Sequence, residues 1–310
     1  MKLVKPEFQI IEPTGYTMDD IYKSIELAGR VSHKSEDKIT ETSAKDFVGR
    51  MLNMKHLAVC EFGTIYLYID YHNPSFGKII DKYNNNQYSK CIIDNVFPNK
   101  AYISSNYRVL VENNWLDDLK YLCEPTEYHE KRYTVKFILD RGILAEFTRH
   151  RRFSFMAEST RYCNYSKSKF NSELTFIIPN WLNLISSDNE IYINGDEDKY
   201  CYPEDVYTLN FLYTLKYAER AYLYLLTQWN EKIPDKRYKS GYKNNPWKPE
   251  QARGILPLFL KTELYMCGFA EDWKKFFELR DDKQHAHPQA YELAHPLHKE
   301  FIKRGYINER

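Results

Sequence analysis

The sequence lacks any apolar run long enough to cross a membrane. A transmembrane helix needs about 20 consecutive, predominantly apolar residues, so we expect no membrane segment and no membrane partner. The opening stretch, Met1–Lys5, is not followed by the hydrophobic segment of a secretory signal peptide. We therefore expect a cytoplasmic protein.

Paired cysteines and an excess of charge of one sign are also missing. The six cysteines are scattered, with no C-x-x-C pair, which is typical of reduced cytosolic thiols rather than of a disulfide scaffold. Lys and Arg number 44 against 43 Asp and Glu, a net charge of +1. This balance argues against general binding to nucleic acid.

The apolar residues follow both helical and strand periods, without any internal repeat. Helices are predicted from Thr17 to Val31, from Ser43 (in a capping box with Asp46) to about Met54, from Leu209 to Leu226, and around the stripe Trp273, Phe276, Phe277 and Arg280. Strands are predicted at Thr64–Asp70, Tyr102–Val111, Arg132–Leu139 and Leu174–Ile178. The polar stretches 186–199 and 229–249 indicate surface excursions. We therefore predict an α+β fold, a single domain over residues 1–310 with a central, mostly antiparallel sheet flanked by helices and with surface insertions.

Positive charge is concentrated between Arg149 and Tyr162. The thirteen residues from Arg149 to Arg161 hold four Arg, one His and three Ser or Thr hydroxyls. Gly142 ends the preceding strand and a short helix follows, so we expect the cluster at the end of that helix and in the loop after it. Guanidiniums interleaved with hydroxyls favour phosphate binding. A solvated surface or a salt-bridged network is the alternative, although one nearby acid, Glu158, cannot neutralise four guanidiniums.

Four ordered motifs carry a resemblance to a known family. Arg149-His150-Arg151, a gap of seven residues and then Ser159 resemble the signature of flavin-dependent thymidylate synthases. Residues 56–62 resemble the family's His…Glu element before a strand, residues 252–257 its Ala-Arg-x-x-Leu-Pro segment, and residues 279–288 its closing Leu-Arg…Ala-His element. The resemblance covers most of the chain.

The resemblance implies conversion of dUMP to dTMP. Methylenetetrahydrofolate would be the carbon donor, and FAD, reduced by NADPH, would carry the hydride. Family active sites form where subunits meet, so the resemblance also implies a homotetramer.

The resemblance further assigns roles to individual residues. Arg280 and His56 would be catalytic, Arg280 as a permanent cation that stabilises negative charge on the uracil ring and His56 beside the flavin and folate. FAD would be bound by Arg149, His150, Arg151 and Lys275. The nucleotide would be bound by Glu146, Glu158, Ser159, Thr160, Arg161, Arg253 and Arg280.

Other chemistries at these residues are less favoured. Ser159 as a covalent nucleophile lacks a G-x-S-x-G setting and an identifiable base, and a buried, inert thiol is the commoner role for Cys163. Four histidines lie between His285 and His298, but without paired Cys or an H-E-x-x-H pattern we expect helix capping and polar packing rather than a metal site.

Several points stay open from the sequence. Ala157, Phe269, Glu271 and Lys275 stand where better-known members carry other residues that usually touch the flavin. An insertion at about 71–130 has no readable role. A related enzyme acting on dCMP, a hydroxymethyl product, or a nucleotide- or flavin-binding protein without catalysis are the alternative functions.

Overall fold

The structure is a computed structural model that describes residues 1–94, 100–182, 205–227 and 246–308, together with the backbone of 190–192. The polar stretches 186–199 and 229–249 lie largely outside the described residues. Among the described residues, no helix has both the length and the apolar character needed to cross a bilayer. The five described cysteines are free thiols, as predicted.

The described chain alternates between strands and helices. The strands are β1 Lys2–Val4, β2 Glu7–Ile11, β3 Thr64–Asp70, β4 Lys90–Ile93, β5 Lys100–Asn106, β6 Arg132–Asp140, β7 Ser154–Ala157, β8 Thr175–Ile177, β9 Glu190–Tyr192 and β10 Lys261–Phe269. The helices are α1 Met18–Arg30, α2 Ser43–Asn53, α3 Phe76–Asn84, α4 Tyr107–Glu112, α5 Arg141–Phe147, α6 Val206–Leu226, α7 Pro249–Ala252, α8 Ala270–Arg280 and α9 Pro288–Lys303.

The predicted α+β class is confirmed. The described strands form three sheets, with the orders β8-β1-β9, β2-β6-β10-β7 and β3-β5-β4. Antiparallel pairing predominates, as in the full register of β3 on β5 from Thr64 opposite Asn106 to Asp70 opposite Lys100. The pair β1 and β8 is parallel.

The chain divides into two compact units. The first unit comprises Met1–Glu7, Ile138–Ala145 and Glu158–Thr262. Its core joins the sheet around β1 to helix α6, through the buried side chains Leu3, Phe176, Leu212 and Tyr222 among others. The single domain over residues 1–310 stays a prediction.

The second unit comprises Phe8–Phe137, Glu146–Ala157 and Glu263–Arg310. One cluster packs α1 and α2 against the sheet β3-β5-β4, so strands within the predicted insertion complete the sheet that β3 begins. In α8 the predicted stripe is buried: Trp273, Phe276 and Phe277 are each 2% exposed or less. This packing fixes the helix that ends at Arg280.

Helix α1 begins as predicted, whereas α2 does not. The Thr17 hydroxyl accepts a hydrogen bond from the backbone N–H of Asp20, and the Asp20 carboxylate accepts one from the backbone of Thr17. The capping box predicted at Ser43 is wrong, because Thr42 is the N-cap and makes no side-chain cap. The Ser43 hydroxyl donates to Glu26 at 2.7 Å instead.

The predicted strand Tyr102–Val111 is wrong in its second half. Strand β5 ends at Asn106, whose side-chain oxygen accepts from the backbone N–H of Val109 at 3.2 Å and caps helix α4. A short apolar run does not distinguish a strand from a buried helical turn, and the side chain of Asn106 favours the cap here.

The basic segment follows a short helix, as predicted, but only part of it is a loop. Helix α5 ends at Phe147, and turns run to Phe153. Residues 154–157 then form β7, paired antiparallel with β10 so that Phe155 lies opposite Met266. The turn is therefore fixed at both ends by regular structure.

Candidate functional site

Arg280 lies at the centre of a hydrogen-bonded cluster in the second unit. Its Nη1 donates to Glu146 Oε2 at 2.6 Å and its Nη2 to the backbone oxygen of Glu146 at 3.1 Å. Its Nε donates to Nε2 of His150 at 3.1 Å. Residues that are 134 and 130 positions away in sequence thus hold one guanidinium in a fixed orientation.

His150 is neutral in this arrangement. Burial, with the charge of Arg280 as a second cause, lowers the pKa of His150 to about 4. Its ring lies edge-to-face on Phe276, with centroids 5.1 Å apart. Because Nε2 accepts from Arg280, the ring proton resides on Nδ1. His150 therefore positions Arg280 without adding a second positive charge at neutral pH.

The cluster keeps hydrogen-bonding capacity for a ligand. A guanidinium has five N–H donors, and the three bonds to Glu146 and His150 leave one N–H on each terminal nitrogen of Arg280. Within the described part of the chain, Oε1 of Glu146 accepts no hydrogen bond. Two donors and one carboxylate acceptor therefore lie side by side, and the Arg280 side chain is 16% exposed.

A second set of predicted residues lies in the first unit. Glu158 is buried, 3% exposed, and its two oxygens accept from the Tyr165 hydroxyl at 2.7 Å and the Lys261 ammonium at 3.1 Å. Burial, followed by the charge of Glu158, raises the pKa of Tyr165 well above its ordinary value. Glu158 is thus held by two hydrogen bonds in the interior of the first unit, and its role in binding the nucleotide stays a prediction.

Ser159 and Thr160 form the turn beside Glu158. The Ser159 hydroxyl accepts from the backbone N–H of Arg161 at 3.3 Å, and its carbonyl accepts from Cys163 at 2.9 Å. Thr160 is buried, as is Cys163. The hydroxyl of Ser159 therefore acts as an acceptor in a tight turn.

Two guanidiniums of the same unit remain at the surface. Arg161 lies 3.9 Å from the carboxylate of Glu250, and both side chains are about half exposed. Glu250 belongs to α7, which leads directly into Arg253 at the start of the turn Arg253–Ile255. In the described residues Arg253 has no ion-pair partner. Segments far apart in sequence thus bring Arg161 beside the α7–Arg253 segment. The guanidiniums of Arg161 and Arg253 make few ionic contacts among the described residues, so both can bind an anion.

A pocket of about 570 Å³ lies beside the basic turn in the second unit. Arg151 and Arg152 line it together with Arg132 and Lys90. Lys90 Nζ lies 5.9 Å, and the Arg132 guanidinium 5.6 Å, from the centroid of the Phe269 ring. Lys90 and Arg132 were not predicted as site residues. Neither belongs to a motif; Arg132 had only its place on the polar face of β6 as a signal.

The pocket also contains one buried carboxylate. Asp272 is 4% exposed, and burial raises its pKa, against the lowering effects of Arg152 and a backbone hydrogen bond from Phe269. Arg152 Nη1 lies 3.9 Å from the Asp272 carboxylate. In the part of the chain that the structure describes, Arg151 has no carboxylate partner.

His56 and Lys275 lie apart from the cluster around Arg280. His56 is an exposed residue just before the turn Leu57–Phe62, and its charge contributes, after burial, to lowering the pKa of His33. Lys275 pairs with Glu271 at 3.4 Å on the surface of α8. No hydrogen bond or ion pair joins His56 or Lys275 to Arg280 within the described residues. Their catalytic and flavin-binding roles stay predictions, as does the flavin role of Arg149, an exposed residue.

The histidines after α8 have capping and packing roles, as expected. His295 and His298 each bond one oxygen of Asp281, at 2.8 and 2.7 Å, and His287 caps α9 by accepting from the backbone N–H of Gln289. In the described ranges, no group of three or more His, Cys, Asp or Glu side chains converges as a set of metal ligands.

Comparisons with known proteins give a family match. Residues 124–304 match the family model described as thymidylate synthase complementing protein, Thy1. A comparison with curated proteins gives no match. Among solved structures, the chain is similar to a UMP/dUMP methylase PolB from Streptomyces cacaoi bound with 5-Br dUMP, at 16% identity over 98% of this chain and 93% of that chain, with a TM-score of 0.40. The family match spans more than half of the chain, so the chain belongs to the thymidylate synthase complementing protein family.

Proposed function

We propose that the protein is a cytoplasmic, flavin-dependent thymidylate synthase that converts dUMP to dTMP. Methylenetetrahydrofolate donates the carbon, and FAD, reduced by NADPH, carries the hydride. Family membership supports an enzyme of the thymidylate synthase kind, a methyltransferase. The observation that carries the proposal is the cluster of Arg280, Glu146 and His150, which lies inside the matched residues and holds a cation with free donors.

Arg280 stabilises the pyrimidine as it becomes a carbon nucleophile. For C5 of uracil to act as a carbon nucleophile, the ring must carry negative charge shared between C5 and a carbonyl oxygen, and this charge is consumed as C5 bonds to the methylene carbon. A guanidinium that is already oriented costs no reorganisation at that moment. Glu146 and His150 supply this orientation, and the low pKa of His150 keeps the imidazole uncharged.

Glu146 favours uracil over cytosine. Its unoccupied oxygen is an acceptor, and N3 of uracil carries an N–H that can donate to it. N3 of cytosine presents a lone pair, which a carboxylate repels. The adjacent N–H donors of Arg280 suit a uracil carbonyl oxygen. The choice of dUMP rather than dCMP rests on this pairing.

The nucleotide phosphate is assigned to Ser159, Arg161 and Arg253. Arg161 and Arg253 are exposed, and among the described residues Arg161 has one long ion pair and Arg253 has none. A guanidinium can bind phosphate through two N–H donors in a fixed geometry. Glu158 and Thr160 are buried and support this turn.

We also propose a homotetramer, in which subunits meet at the active sites.

The basic turn fits the diphosphate of FAD. Arg151 and Arg152 are exposed side chains on a pocket in which cations outnumber carboxylates. Arg149, His150, Arg151 and Lys275 are the residues we assign to the flavin. These residues would hold FAD, which, once reduced by NADPH, would supply the hydride for the methyl group, with tetrahydrofolate rather than dihydrofolate as the folate product.

Incubation with an equal mixture of dUMP and dCMP tests the proposal. The protein is supplied with FAD, NADPH and methylenetetrahydrofolate, and the nucleotides are weighed by mass spectrometry. We expect a methyl group on dUMP alone. A changed dCMP, or a hydroxymethyl adduct, would replace the proposed substrate or product. Bound flavin and dUMP without any product would indicate a binding protein instead.

A further inference from the structure

The predicted insertion forms one wall of the basic pocket. Residues 84 and 86–91 line the pocket on the side of α3 and β4, and Arg151 and Arg152 line it from the basic turn. Its volume of about 570 Å³ is in the usual range of about 300–1,000 Å³ for small-molecule sites. A segment without a readable role in the sequence therefore shares a cavity with the chain's densest positive charge.

The pocket has the charge of an anion site. Four of its lining residues are cations, Lys90, Arg132, Arg151 and Arg152, and one, Asp272, is a carboxylate. Asp272 lies 3.9 Å from Arg152 Nη1, and its carboxylate also interacts with the backbone of Phe269 and with the charge of Lys90. One carboxylate leaves an excess of positive charge among four cations. Like charges gathered in this way repel one another unless an anion joins them.

Lys90 is held in place at this wall. It begins β4, where it lies opposite Ser104 of β5. The hydroxyl of the preceding residue, Ser89, lies 2.8 Å from the buried hydroxyl of Ser105. The ammonium group lies over the ring of Phe269. Its charge lowers the pKa of Asp272, but within the described residues no carboxylate lies close enough to form an ion pair with it. The backbone of Lys90 is therefore fixed while its charge stays available.

We propose that Lys90, contributed by the insertion, is a further cation for the diphosphate of a nucleotide ligand bound in this pocket. Arg151 and Arg152 supply planar, multidentate donors, and Lys90 faces them as a point charge. Tyr88, 51% exposed on the same wall, offers a ring for a base to stack on. The choice of a diphosphate rests on the proposed function, because FAD and NADPH both carry one joined to adenosine.

The test measures binding of ADP, FAD, NADPH and riboflavin to the full chain by calorimetry. Lys90→Gln removes the charge, Lys90→Arg keeps it, and Lys78→Gln is the control. Lys78 is exposed on α3 of the same insertion and does not line the pocket. A charge-assisted hydrogen bond is worth about tenfold or more in affinity. We therefore expect Lys90→Gln to weaken ADP about tenfold or more and riboflavin less than about twofold, whereas Lys90→Arg and Lys78→Gln bind ADP like the unchanged protein.

The two full ligands distinguish the source of the diphosphate. A Lys90→Gln loss confined to FAD assigns the pocket to the flavin, and one confined to NADPH assigns it to the reductant. Unchanged ADP, FAD and NADPH affinities in Lys90→Gln would overturn the inference, as would failure of the unchanged protein to bind ADP. A parallel assay of dTMP separates it from the proposed function. If dTMP forms but Lys90→Gln binds ADP, FAD and NADPH like the unchanged protein, only the role of Lys90 is refuted. If Lys90→Gln weakens binding but no dTMP forms, only the proposed thymidylate synthase function is refuted.

Discussion

Replacing Arg280 by Ala removes three hydrogen bonds and one positive charge from the cluster with Glu146 and His150. Hydrogen bonds to charged groups contribute about 1.5–3 kcal/mol each, and their effects within one network are not additive. The Glu146 side chain is 31% exposed, so water solvates its carboxylate once the guanidinium is gone. We expect a loss of about 2 kcal/mol in the free energy of unfolding, which a native domain tolerates.

The effect on catalysis is larger than the effect on stability. Loss of one preoriented charge-stabilising donor typically costs about 10²–10³ in kcat. We therefore expect turnover of dUMP by Arg280→Ala to fall by about 10²–10³ or more, while its circular dichroism and cooperative melting are retained. Arg280→Lys keeps the charge but cannot bond Glu146 and His150 at the same time, so we expect it to be almost as inactive.

Steady-state formation of dTMP and thermal melting are measured on the same preparations. Lys283→Ala is the matched control, because Lys283 is an exposed cation three residues beyond Arg280. Its kcat/KM and Tm should equal those of the unchanged protein. Turnover within about tenfold of the unchanged protein in a folded Arg280→Ala variant would refute the electrostatic role, since that role requires a larger loss.

Three further outcomes follow from particular contacts. His150 should titrate by NMR with a pKa of about 4. Because this lies below the unfolded value of about 6.5, the stability that its neutral form contributes is present above pH 6.5 and is lost as the pH falls to about 4. A midpoint near pH 6.5 would contradict its burial. Ser159→Ala should keep measurable turnover with weaker dUMP binding, and complete loss at unchanged dUMP affinity would revive a nucleophilic role. Gly268→Ala would place a Cβ 2.5 Å from the buried ring of Phe153, so calorimetry should show a loss of about 1–3 kcal/mol. Gly77→Ala is the control: Gly77 lies in α3 with nothing within 4 Å, so the change should cause no loss of stability.

Strands with one buried face were predictable from the sequence. The alternation of Val135, Phe137 and Leu139 gives β6 almost to the residue, and β3 has its predicted bounds. Strand β10 was missed because it does not alternate. All but its first residue are buried, including Thr262 and Glu263. Glu263 is paired there with Lys34 and Lys136, at 2.8 and 2.9 Å, and no local pattern reveals such distant partners.

The candidate site residues also fall into two groups: those that sequence motifs indicate and those that only the fold brings to the site. Motif spacing indicated Arg280 and His150 as candidate site residues, and the structure joins the two by a hydrogen bond. Lys90 was not predictable, because its place in the pocket depends on the pairing of β4 with β5. Long-range pairing of this kind leaves no spacing signal in the sequence. His56, although part of a motif, makes no hydrogen bond or ion pair with Arg280 within the described residues, and its catalytic role stays a prediction.

Omitting FAD tests whether a flavin carries the hydride in the reductive methylation of dUMP. The protein, freed of flavin, is incubated without oxygen with dUMP, NADPH and methylenetetrahydrofolate, with and without added FAD, and nucleotide and folate products are identified by mass spectrometry. We predict dTMP together with tetrahydrofolate, formed only when FAD is present. Formation of dTMP with dihydrofolate in the absence of FAD, or no dTMP although FAD and dUMP bind, would contradict the proposed function.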